Sequence, residues 1–203
     1  MALIDLDLPA DRVALPSDVR AFLDEADRRI ERFQRDSRVP AFVPSDFPGA
    51  YGVLHALSES GAAPGGLFCE WGSGFGVVAC LAAMLDYDAH GIEIDDGLVT
   101  EARRLAADFD LPVEFLCGSF IPAGAERSVG RTDRFNWLTT RAGDPEGEWG
   151  LGPADFDVVF AFPWPDEERV IADLFHRHAA AGAVLVTYHE GQDFRVRRKA
   201  ARR

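Results

Sequence analysis

Three glycines at alternate positions, framed by an apolar run before them and by acids at two strand ends, constrain this chain more than any other feature. The stretch Gly66-Leu-Phe-Cys-Glu-Trp-Gly-Ser-Gly-Phe-Gly-Val-Val78 begins with Leu67 to Cys69, which suits a buried parallel strand. Gly72, Gly74 and Gly76 then make a turn that opens an amphipathic helix, where backbone can approach a ligand closely. Further on, in Gly91-Ile-Glu-Ile-Asp95, a second apolar strand ends near Glu93, placed for a carboxylate that accepts hydrogen bonds from both hydroxyls of a ribose. The pattern reads as a nucleotide-cofactor site.

The spacing discriminates between cofactors. The dinucleotide fingerprint Gly-x-Gly-x-x-Gly would put its third glycine at position 77, held here by Val77; the spacing present is Glu70-x-Gly72-x-Gly74-x-Gly76. An acid two places before the first glycine would also repel a pyrophosphate, and suits a cofactor with a cationic end. S-adenosylmethionine meets that demand, and NAD is the weaker fit. On these residues the sequence resembles the class I S-adenosylmethionine-dependent methyltransferases, over roughly residues 40 to 190 and most sharply from Glu70 to Asp95. The resemblance implies that Glu70 faces the methionine amino group, directly or through water. It implies that Gly72, Gly74 and Gly76 shape the cofactor loop and that Glu93 holds the ribose. The competing reading of Glu93 is an exposed carboxylate at a strand end.

Other contacts follow from the same resemblance. Where the family reads the adenine at the end of the third strand, often through an acid, this chain has Cys117-Gly-Ser-Phe120; Ser119 would replace the acid and Phe120 would cover the ring. Phe42-Val-Pro-Ser-Asp46 is similar to a segment that helps cover the cofactor in some members, including non-SET protein-lysine methyltransferases; otherwise it is an ordinary proline-rich connector. Phe162-Pro-Trp-Pro165 resembles, in position and prolines, the Asn/Asp-Pro-Pro-Tyr loop of amino-group methyltransferases, but Phe162 stands where that loop has its amide or carboxylate. Ala161 and Phe162 are expected beside the cofactor, and their backbone carbonyls, or His189, would have to take an acceptor's proton. Trp164 would stack on a planar or cationic acceptor. The alternatives are a Trp164 packed under the next helix and a His189 in a hairpin turn.

Charge and composition bound the class. Residues 195 to 203 hold six of the 21 basic residues and no acid, which leaves 15 basic against 34 acidic residues before them. Such a body repels a phosphate backbone, so nucleic acid is disfavoured as the main substrate, although a basic tail or local patch could engage it. The acidity is otherwise a solvated surface or a funnel for cationic substrates. Lys199, the only lysine, sits in the expected tail and excludes a P-loop lysine or a Schiff base. Cys69, Cys80 and Cys117 form no Cys-x-x-Cys pair and read as small buried apolar residues in a strand, a helix and a strand, implying a reducing cytoplasm. No apolar run is long enough for a membrane span, and the start lacks a basic signal-peptide region.

Periodicity predicts an α/β fold with a doubly wound, mostly parallel sheet, and the resemblance implies that it is of the Rossmann-like methyltransferase type. An N-terminal helical extension over residues 1–60 precedes the cofactor domain over 61–203. Ser17 is expected to cap a first helix burying Val19, Phe22, Leu23, Ala26, Ile30 and Phe33, and a second helix runs from about Gly49 to Glu59. Strands are expected at Leu67–Trp71, Ala89–Ile94, Val113–Cys117, Phe156–Phe162 and Ala183–Tyr188, with helices over Val77–Leu85, through Leu98–Phe109, and from Pro165 to Gly182. Between the third and fourth strands, residues 120–155 show weak periodicity; a partly helical piece is expected around Arg131–Thr140 and a mobile stretch over Ala142–Pro153. Trp137 and Trp149 there either close over a substrate or pack on the sheet. Phe194–Arg198 should return as a short antiparallel strand at the sheet edge, its arginines discouraging further pairing.

The histidines show no metal-ligand spacing, and no Gly-x-Ser-x-Gly nucleophile elbow is present, so no metal is expected. The resemblance implies methyl transfer to a nitrogen or oxygen acceptor, on a small molecule or a protein side chain. The alternative is a non-catalytic S-adenosylmethionine-binding or regulatory module of the same fold, since fold alone does not prove turnover.

Overall fold

The structure, a computed structural model, describes residues 2–8, 13–36, 39, 42–122, 124–125, 145–165, 167–189 and 193–201. Among them the elements run β1 (Leu3–Asp5), α1 (Ser17–Asp36), α2 (Phe47–Ser60), β2 (Leu67–Trp71), α3 (Val77–Ala83), β3 (Asp88–Glu93), α4 (Asp96–Asp108), β4 (Val113–Cys117), α5 (Pro145–Trp149), β5 (Val158–Ala161), α6 (Glu168–His178), β6 (Val184–His189) and β7 (Asp193–Lys199). The strands form one sheet in the order β1-β7-β6-β5-β2-β3-β4. From β6 to β4 neighbouring strands are parallel, while β7 runs antiparallel to β6 and β1 antiparallel to β7.

Period-two alternation sends side chains to two cores. Phe68, Val158, Phe160, Val184 and Val186 join the buried faces of α1 to α4 on one side. Cys69, Val159, Ala161 and Leu185 meet Ile171, Leu174 and Phe175 of α6 on the other. Strands covered on both faces favour apolar residues, which is why β5 and the first three residues of β2 and β6 read as continuous apolar runs. Helix α3 is buried all round, Val77 to Ala82, as its sequence of small and branched apolar residues requires.

The first helix buries Val19, Phe22, Leu23, Ala26 and Ile30, with Phe33 partly covered. Ser17 is not its cap: the helix already includes Ser17, and the Pro16 carbonyl accepts the first bond, from Arg20. Phe22 meets Phe109 edge to face at 5.1 Å, and Arg29 reaches Asp108 at 2.6 Å, so α1 docks on α4.

Several expected boundaries move. The fourth strand shortens to Val158–Ala161, because Phe162 already leaves the sheet. The helix after Pro165 starts only at Glu168 and ends at His178; Gly182 lies beyond it with φ +92° and donates to the Lys199 carbonyl. The stretch expected to be mobile contains α5, while Arg131–Thr140 and Trp137 lie outside the described residues. The expected antiparallel return strand is present as β7, but it is not the edge, since β1 pairs outside it. Nor is the basic stretch a tail. Lys199 is buried in β7, donating its Nζ to the Ala179 carbonyl.

The start of α2 links the N-terminal part to β7. Asp46 caps it by accepting from the Gly49 amide at 3.1 Å, and the second helical residue is Pro48, which needs no amide partner there. A Cβ on Gly49 would sit 2.6 Å from both Asp46 Oδ2 and Phe194 Cε2. Glycine to alanine in a helix normally stabilises. Here Gly49→Ala is expected to destabilise by roughly 1–3 kcal/mol through overpacking, lowering the thermal midpoint where an exposed helical position would raise it.

Candidate active site

Chain order reverses between β5 and β2: from β2 the chain steps outward to β3 and β4, then returns to β5 on the other side. Carboxyl ends of strands splay apart at such a reversal and leave a crevice. A cavity of about 650 Å³ lies there, walled by the ends of β2, β3, β5 and β6.

The glycine turn forms one wall. Gly72, Gly74 and Gly76 have φ of +73°, +52° and +68°, a region that L side chains rarely adopt, so all three are needed for the path of the chain. The Gly72 and Ser73 amides both donate to the Ile92 carbonyl, at 2.9 and 3.0 Å, which folds the turn over the end of β3. Gly72 and Gly74 line the cavity; Gly76 does not, and a side chain on it would collide with Phe115 and Ala102. Gly76 is thus a packing glycine at the start of α3.

Two buried acids flank the turn. Glu70 ends the polar side of β2 and accepts from the Ala79 amide at 2.9 Å, supplying from a strand the cap that Gly76 cannot give α3. Burial pushes its carboxyl well above the ordinary range, the Ala79 bond works against that shift, and the charge of Glu93 adds to it. Glu93 accepts from three amides: Gly74 at 2.9 Å, Ile94 at 2.8 Å and Asp95 at 3.0 Å. Its carboxyl is also raised, by burial first, with those three bonds opposing. It is buried, not the exposed strand-end carboxylate of the alternative reading.

Across from these acids lie the residues after β5. Ala161, Phe162 and Trp164 line the cavity, Trp164 with 39% of its surface exposed, so it is not packed away under α6. His189 also lines it, within β6 and paired with Asp193, not in a turn. Both ring nitrogens are engaged: Nδ1 with Glu168 Oε1 at 2.8 Å and Nε2 with Thr187 Oγ1 at 2.9 Å. With Nδ1 donating to the carboxylate, Nε2 is left to accept the Thr187 hydroxyl. That geometry ties His189 to the wall and removes the free nitrogen that a base would need.

Phe120 lines the cavity, stacked on Trp71 at 5.2 Å with planes 5° apart. Ser119 does not line it; the Ser119 hydroxyl accepts from the Ile121 amide at 3.1 Å, a local turn that holds the loop. Phe42, Val43, Pro44 and Ser45 form a cover, Phe42 stacking on Phe75 at 5.5 Å and lying against Gly74. Trp149 packs on the sheet instead, edge-on to His90 at 5.0 Å.

Sequence reasoning missed Trp71, Ser73 and Glu167 in the wall. Trp71 and Ser73 sit inside the glycine motif and were within reach of a closer reading. Glu167 gave no such signal, because acids before a helix are ordinary. Among the described residues the buried Ser73 Oγ and Glu167 Oε1 have no hydrogen-bond partner. No group of His, Cys, Asp and Glu suited to a metal occurs among the described residues.

No protein-family model and no curated protein sequence matches the chain. Solved structures do. An RNA methyltransferase from Salinibacter ruber, in complex with S-adenosyl-L-homocysteine, matches with a TM-score of 0.51 at 19% identity, over 77% of this chain and 92% of that one. An O-methyltransferase from Bacillus cereus, also in complex with S-adenosyl-L-homocysteine, matches with a TM-score of 0.51 at 14% identity, over 86% of this chain and 67% of that one. The chain therefore has the Rossmann-like fold of the class I S-adenosylmethionine-dependent methyltransferases. At these identities the likeness is one of fold.

The raised carboxyl of Glu70 makes a prediction for the protein without ligand. An acid whose folded pKa lies above its unfolded one weakens the fold as pH climbs from the ordinary carboxylate range to the folded value, since the unfolded chain releases its proton first. Glu70→Gln keeps an oxygen for the Ala79 amide and removes the charge. The variant is expected to be more stable than the parent at neutral pH, by roughly 1 kcal/mol, and to show a shallower decline of thermal midpoint with pH. Glu93, Glu167 and Asp27, whose carboxyls burial also raises, contribute in the same direction to the slope that remains.

Proposed function

We propose that this protein is an S-adenosylmethionine-dependent methyltransferase that moves the methyl group to a nitrogen or oxygen acceptor on a small molecule or a protein side chain. The observation that carries this reading is the pair of buried acids, Glu70 and Glu93, set on either side of a glycine turn in one cavity. A buried carboxylate without a counter-charge is costly, and two of them in one cavity favour a ligand with a cationic end and hydroxyl donors. When bound, S-adenosylmethionine supplies an activated methyl group on a positively charged sulfur.

In this reading Glu70 takes the amino group of the cofactor, Glu93 the ribose hydroxyls, and Ser73 the polar end near the turn. Phe120 and Trp71 give the adenine an apolar wall. The segment Phe42–Ser45 covers the site and excludes water, while Ala161, Phe162 and Trp164 face the acceptor. What remains for the chain is alignment and acceptance of a proton where the acceptor carries one. In this reading residues 61–203 are the cofactor domain, to which residues 1–60 add α1, α2 and the edge strand β1.

On charge, a phosphate-rich acceptor is disfavoured by the acidic wall and by the net charge of −13. The Salinibacter neighbour is an RNA methyltransferase, so RNA belongs among the acceptors tested. No described helix is long and apolar enough to cross a membrane. The cysteines are free, Cys69 and Cys80 buried and Cys117 partly exposed, which supports placing the protein in the cytoplasm.

Calorimetry tests the cofactor. S-adenosylmethionine and S-adenosylhomocysteine are expected to bind, and NAD to bind more weakly. Glu93→Ala is expected to cost about 1.5–3 kcal/mol of cofactor binding, roughly a ten- to hundredfold loss, part of it from loosening the turn that Glu93 holds. Tighter binding of NAD, or an unchanged affinity in Glu93→Ala, rejects the assignment. Labelled cofactor incubated with separated small-molecule, protein and RNA fractions then identifies the acceptor; label in none of them favours a non-catalytic binding module.

A further inference from the structure

Six acids among the described residues line the cavity. Asp95 caps α4 and Asp193 of β7 is exposed to solvent; the other four fall into two groups. Glu70 and Glu93 belong to the ends of β2 and β3, and the proposed cofactor answers them. On the other side stand Glu167 and Glu168, where α6 begins, Glu168 against β6 and β7. Glu168 is already matched: it holds His189 Nδ1 at 2.8 Å and lies 3.9 Å from Arg195 Nη1.

Glu167 is not matched. It is 5% exposed and lines the cavity. Oε2 accepts from the Trp164 amide at 3.3 Å, a long bond, and Oε1 is shielded from solvent with no partner among the described residues. Burial holds its carboxyl above the ordinary range, with the Trp164 bond working the other way. A buried carboxylate oxygen left unpaired in a ligand cavity calls for a donor that the ligand brings. Trp164, three residues earlier, presents the most exposed aromatic ring of that wall.

We propose that the methyl acceptor is an alkyl amine that enters as its ammonium ion, bound between the Glu167 carboxylate and the ring of Trp164. This rests on the methyltransferase reading above. An ammonium supplies both a charge for Glu167 and a cation for the indole face, whereas a hydroxyl supplies neither and an anion is repelled. The ammonium has no lone pair until it loses a proton. That proton passes to Glu167, an N–H bond breaking as an O–H bond forms. The freed lone pair then forms the N–C bond while the C–S bond breaks and its electron pair stays on sulfur. Glu167 suits this exchange because burial makes its carboxylate a stronger base than an exposed one.

The test reads binding, so it stands apart from turnover. The protein, with and without S-adenosylhomocysteine, is titrated with n-butylammonium chloride, with n-pentanol as a neutral analogue one carbon longer, and with the tripeptide Ala-Lys-Ala blocked at both ends. Butylammonium is expected to bind at least tenfold more tightly than pentanol. The tripeptide arm separates a free amine from a lysine side chain as the source. Glu167→Gln keeps an oxygen for the Trp164 amide, so the loop is retained, and the variant is expected to lose the preference for ammonium. Trp164→Leu is expected to reduce it severalfold. Equal binding of butylammonium and pentanol, or a preference that survives Glu167→Gln, overturns the proposal; an unchanged preference in Trp164→Leu overturns the place given to the ring. Failure of the parent to bind S-adenosylhomocysteine overturns the methyltransferase reading instead, and the titration without that ligand still reports on Glu167.

Discussion

The carboxylate of Glu93 is the tie on which the cavity depends. Its two oxygens accept three amides from two different loops: Gly74 in the turn after β2, and Ile94 and Asp95 after β3. Asp95 in turn caps α4 through the Leu98 amide at 3.0 Å, so one short segment sets the strand end, the helix start and the turn. Gly91 completes the arrangement, since a Cβ there would meet Phe115 at 2.6 Å and Ser73 at 3.0 Å. A carboxylate has about four lone-pair sites, and three of them are occupied here. If Glu93 takes both hydroxyls of a ribose, one amide must give way. Cofactor binding and the path of the glycine turn are then coupled through a single side chain.

The central sheet was legible because its constraints are local. Leu67–Trp71 and Val113–Cys117 appear with the boundaries read from the apolar pattern, and the three alternate glycines fall where positive φ is needed. A run such as Leu67–Cys69, covered on both faces, leaves few other interpretations. Strand β1 left no such trace. It is three residues long, half-exposed to exposed, and exists because the β7 edge offers unpaired backbone groups, a contact across almost the whole chain length. Lys199 was misread for a related reason. A basic run at a chain end resembles a solvated tail until a strand partner and the Ala179 carbonyl are seen to hold it.

The acceptor side was the least legible part. The family pattern directed attention to Phe162, where a polar side chain is customary, and to His189 as its substitute. Phe162 instead packs edge to face on Tyr188 at 4.7 Å, and Tyr188 continues onto Phe194 at 4.8 Å. That aromatic row joins the loop after β5 to the hairpin, so position 162 serves packing. His189 is fixed by Glu168 and Thr187. Neither side chain offers a free polar atom to the cavity by this arrangement.

What the wall does offer lies a few residues along the same loop. Glu168 holds the histidine through Nδ1 and lies 3.9 Å from Arg195, so both β6 and β7 supply it with partners. In the adjacent Glu167 one carboxylate oxygen is shielded from solvent and has no hydrogen-bond partner among the described residues. If the acceptor is the ammonium ion proposed above, its charge is read by Glu167, which accepts from the Trp164 amide in its own loop. The loop after β5 then carries that selection beyond Trp164 and not at position 162.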